Sequence, residues 1–301
     1  MAHLRFKLLQ QQNLKPLITG KTKLLGVIGH PVEHSLSPVM HNTAIAALGL
    51  DYVYLPLPVR PEDLQVAIAG FAAIGLVGFN VTIPHKQAIL SLLSEVSPVA
   101  KAVGAVNTVW RTDKGWVGTN TDVEGFLAPL RTQQHRDWSQ TVAVILGNGG
   151  AARAVVFGCT ELGCAEIHVA GRDQLKLEEF KSSWVDSNKA INLQIHNLEK
   201  LPQLIPQTTL LVNTTPVGMH PKVEQSPLSA ALMAKLPPAA IVYDLIYNPR
   251  PTQFLQQAQQ QRAITIDGLE MLVQQGAAAL KIWLQQSIPV EVMRQSLLKT
   301  S

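Results

Sequence analysis

The stretch Thr141–Gly163, TVAVILGNGGAARAVVFGCTELG, constrains this chain more than any other. Val142 to Leu146 is an unbroken apolar run, the signature of a strand buried on both faces. Gly147, Gly149 and Gly150 follow at once. A helical apolar pattern then runs from about Ala151 to Gly163, a residue suited to ending a helix. A buried strand that turns within a few residues into a helix opens a βαβ unit. The glycines permit positive φ and let a phosphate approach the backbone, while the helix start offers free N–H groups and the positive end of its dipole. Gly147, Asn148, Gly149, Gly150 and Ala151 are therefore the candidate residues for a dinucleotide pyrophosphate. Ala152 stands where the usual fingerprint has its third glycine, and alanine is small enough for tight helix–strand packing.

The same alternation of short apolar runs and amphipathic stretches covers most of the 301 residues, which predicts an α/β fold with mainly parallel sheets. KLLGVIG, DYVYLPLPV and LVGFNVTI read as strands, with helices over Pro38–Leu48 and Glu62–Ala73 closed by Gly49 and Gly75. AVNTVW and WVGTN flank RTDKG as a hairpin. HKQAILSLL, with Pro84 before it, reads as a helix. Polar RTQQHRDWSQ (131–140) breaks the pattern and serves as the expected linker. Beyond the glycine turn, AEIHVAG, LQIHNL, TLLVNTT, AAIVYDLIY and AITIDG continue the strand series. Two helices, at about 269–285 and 289–299, end the chain. The expected architecture is two-domain: a first α/β domain of residues 1–130 and 270–301, with the terminal helices packing back on it, and a Rossmann-type domain of residues 131–269.

Composition excludes several classes. Lys+Arg 25 against Asp+Glu 21, without a basic run, gives no footprint for nucleic acid. No apolar run reaches the ~18–20 residues that crossing a bilayer takes, and the first 21 residues lack the core of a signal peptide. No membrane partner and a cytoplasmic location are expected. Cys159 and Cys164 lie in helical surroundings with no second pair to complete a zinc site. His30, His34, His41 and His85 cluster in sequence without a recognised ligand spacing, so no metal is expected, and His85 is expected to face outward.

The strand EIHVAG should end beside the adenine ribose. An NAD site needs an acid there, whereas NADP needs a cation for its 2′-phosphate. Arg172 supplies the cation and Lys176 lies one turn later. Asp173 would repel the phosphate if it pointed inward. NADP is the expected cofactor.

Other polar clusters interrupt apolar surroundings. Lys86 follows the strand that ends at Pro84, at the kind of strand edge where open α/β sheets bind ligands; the ordinary reading is a solvated lysine in a helix's first turn. Asn107 and Thr108 sit in a strand. Asn120, Thr121 and Asp122 follow the hairpin, and Asp122 is either a helix cap or a functional acid. Ser37, before Pro38, is the expected cap of the first helix, leaving Ser35 and Ser37 together as a plausible cradle for a carboxylate.

The set HSLSPVMHN, NVTIPHK, GAVNTV, GTNTD, GNGGAARA, VNTTPVGM and DGLEMLVQQGA, in order from about residue 24 to 285, closely resembles the shikimate dehydrogenase family. The resemblance implies NADPH-dependent reversible reduction of 3-dehydroshikimate to shikimate, on the route to aromatic amino acids. It implies a catalytic pair at Lys86 and Asp122, with Ser35 and Ser37 on the substrate carboxylate. Thr82, Asn107 and Gln275 would contact ring hydroxyls, and Tyr247 would close over the substrate. Arg172 matches the 2′-phosphate arginine, although in the family it usually follows an asparagine and precedes a threonine, here Gly171 and Asp173. Thr214, Met219 and Gly268, at strand ends, suit the nicotinamide side, and Met219 is either a ring contact or a core residue.

The chemistry agrees. Hydride addition to a ketone leaves charge on oxygen, which a lysine ammonium can stabilise and protonate. A quinate/shikimate dehydrogenase using NAD, a methylenetetrahydrofolate dehydrogenase and a non-catalytic NADP- or metabolite-sensing module are the alternatives. The family contains monomers and dimers, so a homodimer stays open.

Overall fold

The computed structural model describes residues 18–133, 136–184 and 192–299. They form two compact units. Of the described residues, the first comprises 18–101, 105–121 and 273–299, and the second 102–104 and those between 122 and 272. The sequence reading set the breaks at 131 and 270 instead. The earlier break has a packing cause: helix Asp122–Arg131 lays Phe126 on helix Gly150–Leu162, where a Cβ on Gly158 would come within 2.6 Å of its ring. Among the described residues no helix is long and apolar enough to cross a membrane.

The first unit is a six-stranded sheet, mainly parallel as expected, in which one strand runs against its neighbours. Its order is β2 (Tyr52–Pro58), β1 (Lys23–Gly29), β3 (Gly78–Val81), β5 (Thr108–Thr112), β6 (Gly115–Thr119), β4 (Glu95–Val96). β1 runs parallel to β2 and β3, β5 runs antiparallel to both β3 and β6, and β4 lies parallel to β6. Phe79, Val81, Ile89, Val109 and Trp116 pack beneath it. Helices α1 (Ser37–Leu48), Leu269–Leu284 and Val290–Leu298 supply further core residues, including Met40, Met293 and Leu297, all 0% exposed. Gly276 allows a close helix crossing, since a Cβ there would lie 2.3 Å from the Met40 methyl. Likewise Gly78 lets the indole of Trp283 lie on the strand, where its Nε1–H donates to the Val109 carbonyl at 2.9 Å.

Two local expectations change. Helix α1 is entered one residue early, with Leu36 in the cap position at φ −85°, and Ser37 makes no cap bond. The hydroxyl of Ser35 takes the Ser37 N–H instead, at 3.3 Å. The segment after Pro84 is not an α-helix: turns lead into a short 3-10 stretch, Ala88–Leu92. Tertiary bonds override its helical spacing. The Lys86 carbonyl accepts from Val106 N–H at 2.8 Å instead of serving a helix. His85, 1% exposed, donates from Nε2 to the Val59 carbonyl at 2.7 Å. It therefore faces inward, against expectation.

The second unit has an all-parallel sheet in the order β12 (Ile264–Ile266), β11 (Ile241–Asp244), β10 (Leu210–Asn213), β7 (Val142–Leu146), β8 (Glu166–Gly171), β9 (Leu193–Asn197). Its central strands are almost wholly apolar and buried, as a sheet covered on both faces requires. The chain leaves β7 for one side of the sheet and later returns to β10 on the other, so the switch point of this doubly wound sheet lies between those two strands.

Candidate functional site

Topology gathers the candidate residues of the first unit at one sheet edge. Ser35 and Ser37 follow the C-terminal end of β1, and Thr82 and Lys86 follow that of β3. Because β5 is antiparallel to β3, its first residue, Thr108, pairs with Asn80 near the same end, and Asn107 precedes it. β6 returns so that its last residue, Thr119, pairs with Thr108, which brings Asn120 and Thr121 to that edge too.

A buried polar network underlies this edge. Tyr54 Oη donates to Asn80 Oδ1 at 2.7 Å; Asn80 Nδ2 donates to the Asn107 carbonyl at 3.0 Å and to Thr108 Oγ1 at 3.1 Å. The Asn107 side-chain oxygen accepts the Thr121 N–H at 2.7 Å, and its Nδ2 donates to Thr121 Oγ1 at 3.0 Å and Gln275 Oε1 at 3.4 Å. A backbone donor thus fixes the orientation of the Asn107 amide, with Nδ2 turned to Thr121 and Gln275. Thr121 immediately precedes Asp122, so the same bond anchors the backbone from which the acid projects. Asp122 is 5% exposed and opens helix Asp122–Arg131, where a negative charge suits the dipole. Lys86 is half-buried. No helix begins at Lys86, so the reading of it as a first-turn surface residue falls. His41 lies within 4.2 Å of the Tyr54 ring, stacked and 0% exposed, and burial pushes its pKa down to about 3.

In the second unit the candidates follow strand C-terminal ends in the same way. Gly147–Ala151 follow β7, Arg172 and Lys176 follow β8, Thr214 and Met219 follow β10, Tyr247 follows β11 and Gly268 follows β12. Gly147 adopts φ 102°, but Gly149 is extended at φ −87° and caps the next helix without a side-chain bond. That helix begins at Gly150, one residue before the expected start. Gly149 is open to solvent, and a Cβ added there would meet nothing within 4 Å. This uncapped helix start, at the switch point of the sheet, has the donors that a pyrophosphate needs.

Arg172 and Lys176 are exposed at the next strand's end. Asp173 is turned to its own helix, Gln174–Ser182, where its carboxylate accepts the Lys176 N–H at 3.2 Å. The donor set therefore fits a dinucleotide with an extra phosphate. Met219 is 46% exposed, which excludes the core reading, and Tyr247 is half-buried.

The sequence reading missed three groups. One is the Tyr54–Asn80 pair beneath Asn107. Another is Arg153, 3% exposed, which donates to the Val103 carbonyl and to Ser183 Oγ and lies 5.1 Å from the Trp184 ring centre. Burial pushes its pKa down to about 10. The signal available was an arginine in the apolar run AARAVVFG. The third is Asp244, a carboxylate within IVYDLIY, fully buried beside Asn213.

Nearly the whole chain matches known families. Residues 27–109 match the shikimate dehydrogenase substrate binding domain, 129–272 the shikimate / quinate 5-dehydrogenase family and 268–298 the shikimate 5′-dehydrogenase C-terminal domain. The shikimate dehydrogenase (NADP(+)) of Nostoc sp. is 70% identical over 284 residues, 94% of this chain and 98% of that protein. The crystal structure of shikimate 5-dehydrogenase from Listeria monocytogenes with shikimate and NAD is 36% identical, with a TM-score of 0.82, covering 95% of this chain and 100% of that one. Shikimate 5-dehydrogenase from Thermus thermophilus, in complex with NADP(H) and shikimate, is 34% identical, with a TM-score of 0.80 over 93% and 100% of the two chains. On the match of these domains and of relatives up to 70% identical over nearly its whole length, the chain belongs to the shikimate dehydrogenase family.

Proposed function

We propose that this protein catalyses the reversible, NADPH-dependent reduction of 3-dehydroshikimate to shikimate in the synthesis of chorismate and the aromatic amino acids. The observation that carries this reading is the 70% identity, over 94% of the chain, to a relative named as an NADP(+)-dependent shikimate dehydrogenase. NADPH supplies the hydride. The N–H groups of Gly149, Gly150 and Ala151 take the pyrophosphate, with Gly147 and Asn148 shaping the turn, and Arg172 and Lys176 take the 2′-phosphate. Thr214, Met219 and Gly268 form the nicotinamide side.

Ser35 and Ser37 hold the substrate carboxylate, and Thr82, Asn107 and Gln275 orient the ring hydroxyls, with Tyr247 closing over them. The Lys86 ammonium stabilises the developing alkoxide and then delivers its proton. Asp122 keeps that amine charged and oriented. Two free buried cysteines, Cys159 and Cys164, suit the reducing cytoplasm in which we place the protein. A homodimer remains part of the proposal, tested by light scattering.

The experiment is a steady-state assay following NADPH absorbance with shikimate or quinate, and NADP+ or NAD+. Turnover is expected with shikimate and NADP+. Faster turnover with quinate or NAD+ would favour the broader dehydrogenase, and none with any pair would leave a sensing module.

A further inference from the structure

Three neighbouring strands of the second unit end in register, at Leu146, Asn213 and Asp244. Asp244 is 0% exposed, and its carboxylate is held by neutral donors. Asn213 Nδ2 and the Ile246 N–H donate to Oδ1 at 3.0 and 3.1 Å, and Thr252 Oγ1 donates to Oδ2 at 2.6 Å. Asn213 extends the cluster: its Nδ2 also donates to the Val217 carbonyl at 3.3 Å, and its Oδ1 accepts from Thr215 N–H at 3.0 Å and Thr215 Oγ1 at 2.7 Å. One acid and one amide therefore hold two loops, Thr214–Val217 and Leu245–Thr252, to the end of the sheet.

Glycines let these loops close around the cluster. A Cβ on Gly147 would lie 2.8 Å from Thr214 Oγ1 and 2.9 Å from Thr215 Cγ2, so the first loop rests on the phosphate turn. Gly218, at φ 101°, faces Ile246 and Thr252, and a Cβ on Gly268 would lie 2.2 Å from the Leu245 carbonyl oxygen. Thr214 also donates to the Leu146 carbonyl at 2.7 Å. A buried carboxylate facing only neutral donors is a poor way to add stability, because desolvation opposes it. What it does supply is a fixed set of short bonds that admits one arrangement of both loops.

We propose that Asp244, acting through Asn213 and Thr252, is the positioning residue of the cofactor-side loops, holding Thr214 on the phosphate turn and fixing the backbone that leads to Tyr247. This rests on the reading that residues 147–151 receive the cofactor phosphates.

The test compares NADP+ affinity, by fluorescence titration, and steady-state KM and kcat in Asp244→Asn, Thr252→Val, Thr252→Ser and Arg172→Ala. Asp244→Asn keeps the volume but turns an amide donor towards existing donors, and its KM for NADP+ is expected to rise about tenfold. Thr252→Val removes one bond and should raise that KM about threefold. Thr252→Ser restores the hydroxyl and with it the affinity, a rescue that general loosening of the core would not give. If Asp244→Asn fails to fold, the Val and Ser pair decides. Loss of NADP+ affinity in Arg172→Ala, with Thr252→Val unchanged from wild type, overturns the proposal and leaves the cofactor reading standing. Unchanged affinity in Arg172→Ala and in all the others overturns both.

Discussion

The buried polar residues under the edge of the first sheet are uncharged amides and hydroxyls, with the neutral imidazole of His41 beside them. Those of the second sheet centre on the carboxylate of Asp244. Both clusters lie at strand ends next to candidate ligand residues, yet they respond to acid in opposite senses. Burial lowers the His41 pKa from 6.5 to about 3 and raises that of Asp244 from 3.8 to about 6. Below pH ~6.5 the unfolded chain protonates its histidine while folded His41 stays neutral, so this contribution to stability falls as pH falls. Between pH ~4 and ~6 folded Asp244 keeps a proton that the unfolded chain has lost, so its contribution falls as pH rises and is fully lost above ~6. The comparison shows that one chain can carry acid-sensitive and base-sensitive cores side by side.

The strongest way to break this contrast is at the candidate catalytic cation of the first unit. Lys86→Ala is expected to lower kcat by about 100- to 10,000-fold, measured in the NADPH assay, with Lys86→Met separating charge from bulk. Near-normal turnover in both would remove Lys86 from the chemistry. Next come the opposed pH responses. As pH drops from ~6 to ~4, the stability of Asp244→Asn relative to wild type should worsen by about 2 kcal/mol, whereas His41→Phe should gain by a similar amount. Denaturant melts across that window would give parallel curves if either group were misread.

A smaller effect is expected at Asn80→Ala. It strands the hydroxyl of Tyr54, takes one donor from Thr108 and should cost about 1–3 kcal/mol, with a raised KM for shikimate and an unchanged KM for NADP+. An equal rise in both constants would mean that the network supports the whole fold rather than Asn107. Tyr54→Phe removes a single bond, and about 1 kcal/mol is the expected loss, with no pH slope of its own.

The elements that the sequence made legible are those that local rules decide. The strand Val142–Leu146, the glycine turn and the helix to Leu162 follow from an apolar run and three glycines, and the hairpin from its turn residues. The helix end at Gly49 was equally plain, with φ 69° where only glycine is comfortable. The segment after Pro84 defeated the reading because its conformation is set by the Val59 and Val106 backbones, 26 and 20 residues from their partners His85 and Lys86. Helix spacing in the sequence carries no trace of such bonds. Asp244 was visible only as a lone charge in an apolar strand, since its partners Asn213 and Thr252 lie 31 and 8 residues away. The candidate site residues were found chiefly as motifs. Their common edge followed only once strand order was known.

The indole of Trp283, seated on Gly78 in the first unit, has a counterpart in Trp184, covered by Arg153 in the second; they are 7% and 4% exposed. Each unit thus carries its own shielded fluorophore. Replacing the remaining tryptophans with phenylalanine would turn the protein into a pair of optical reporters, one emitting from each sheet, so that melting of either could be watched alone.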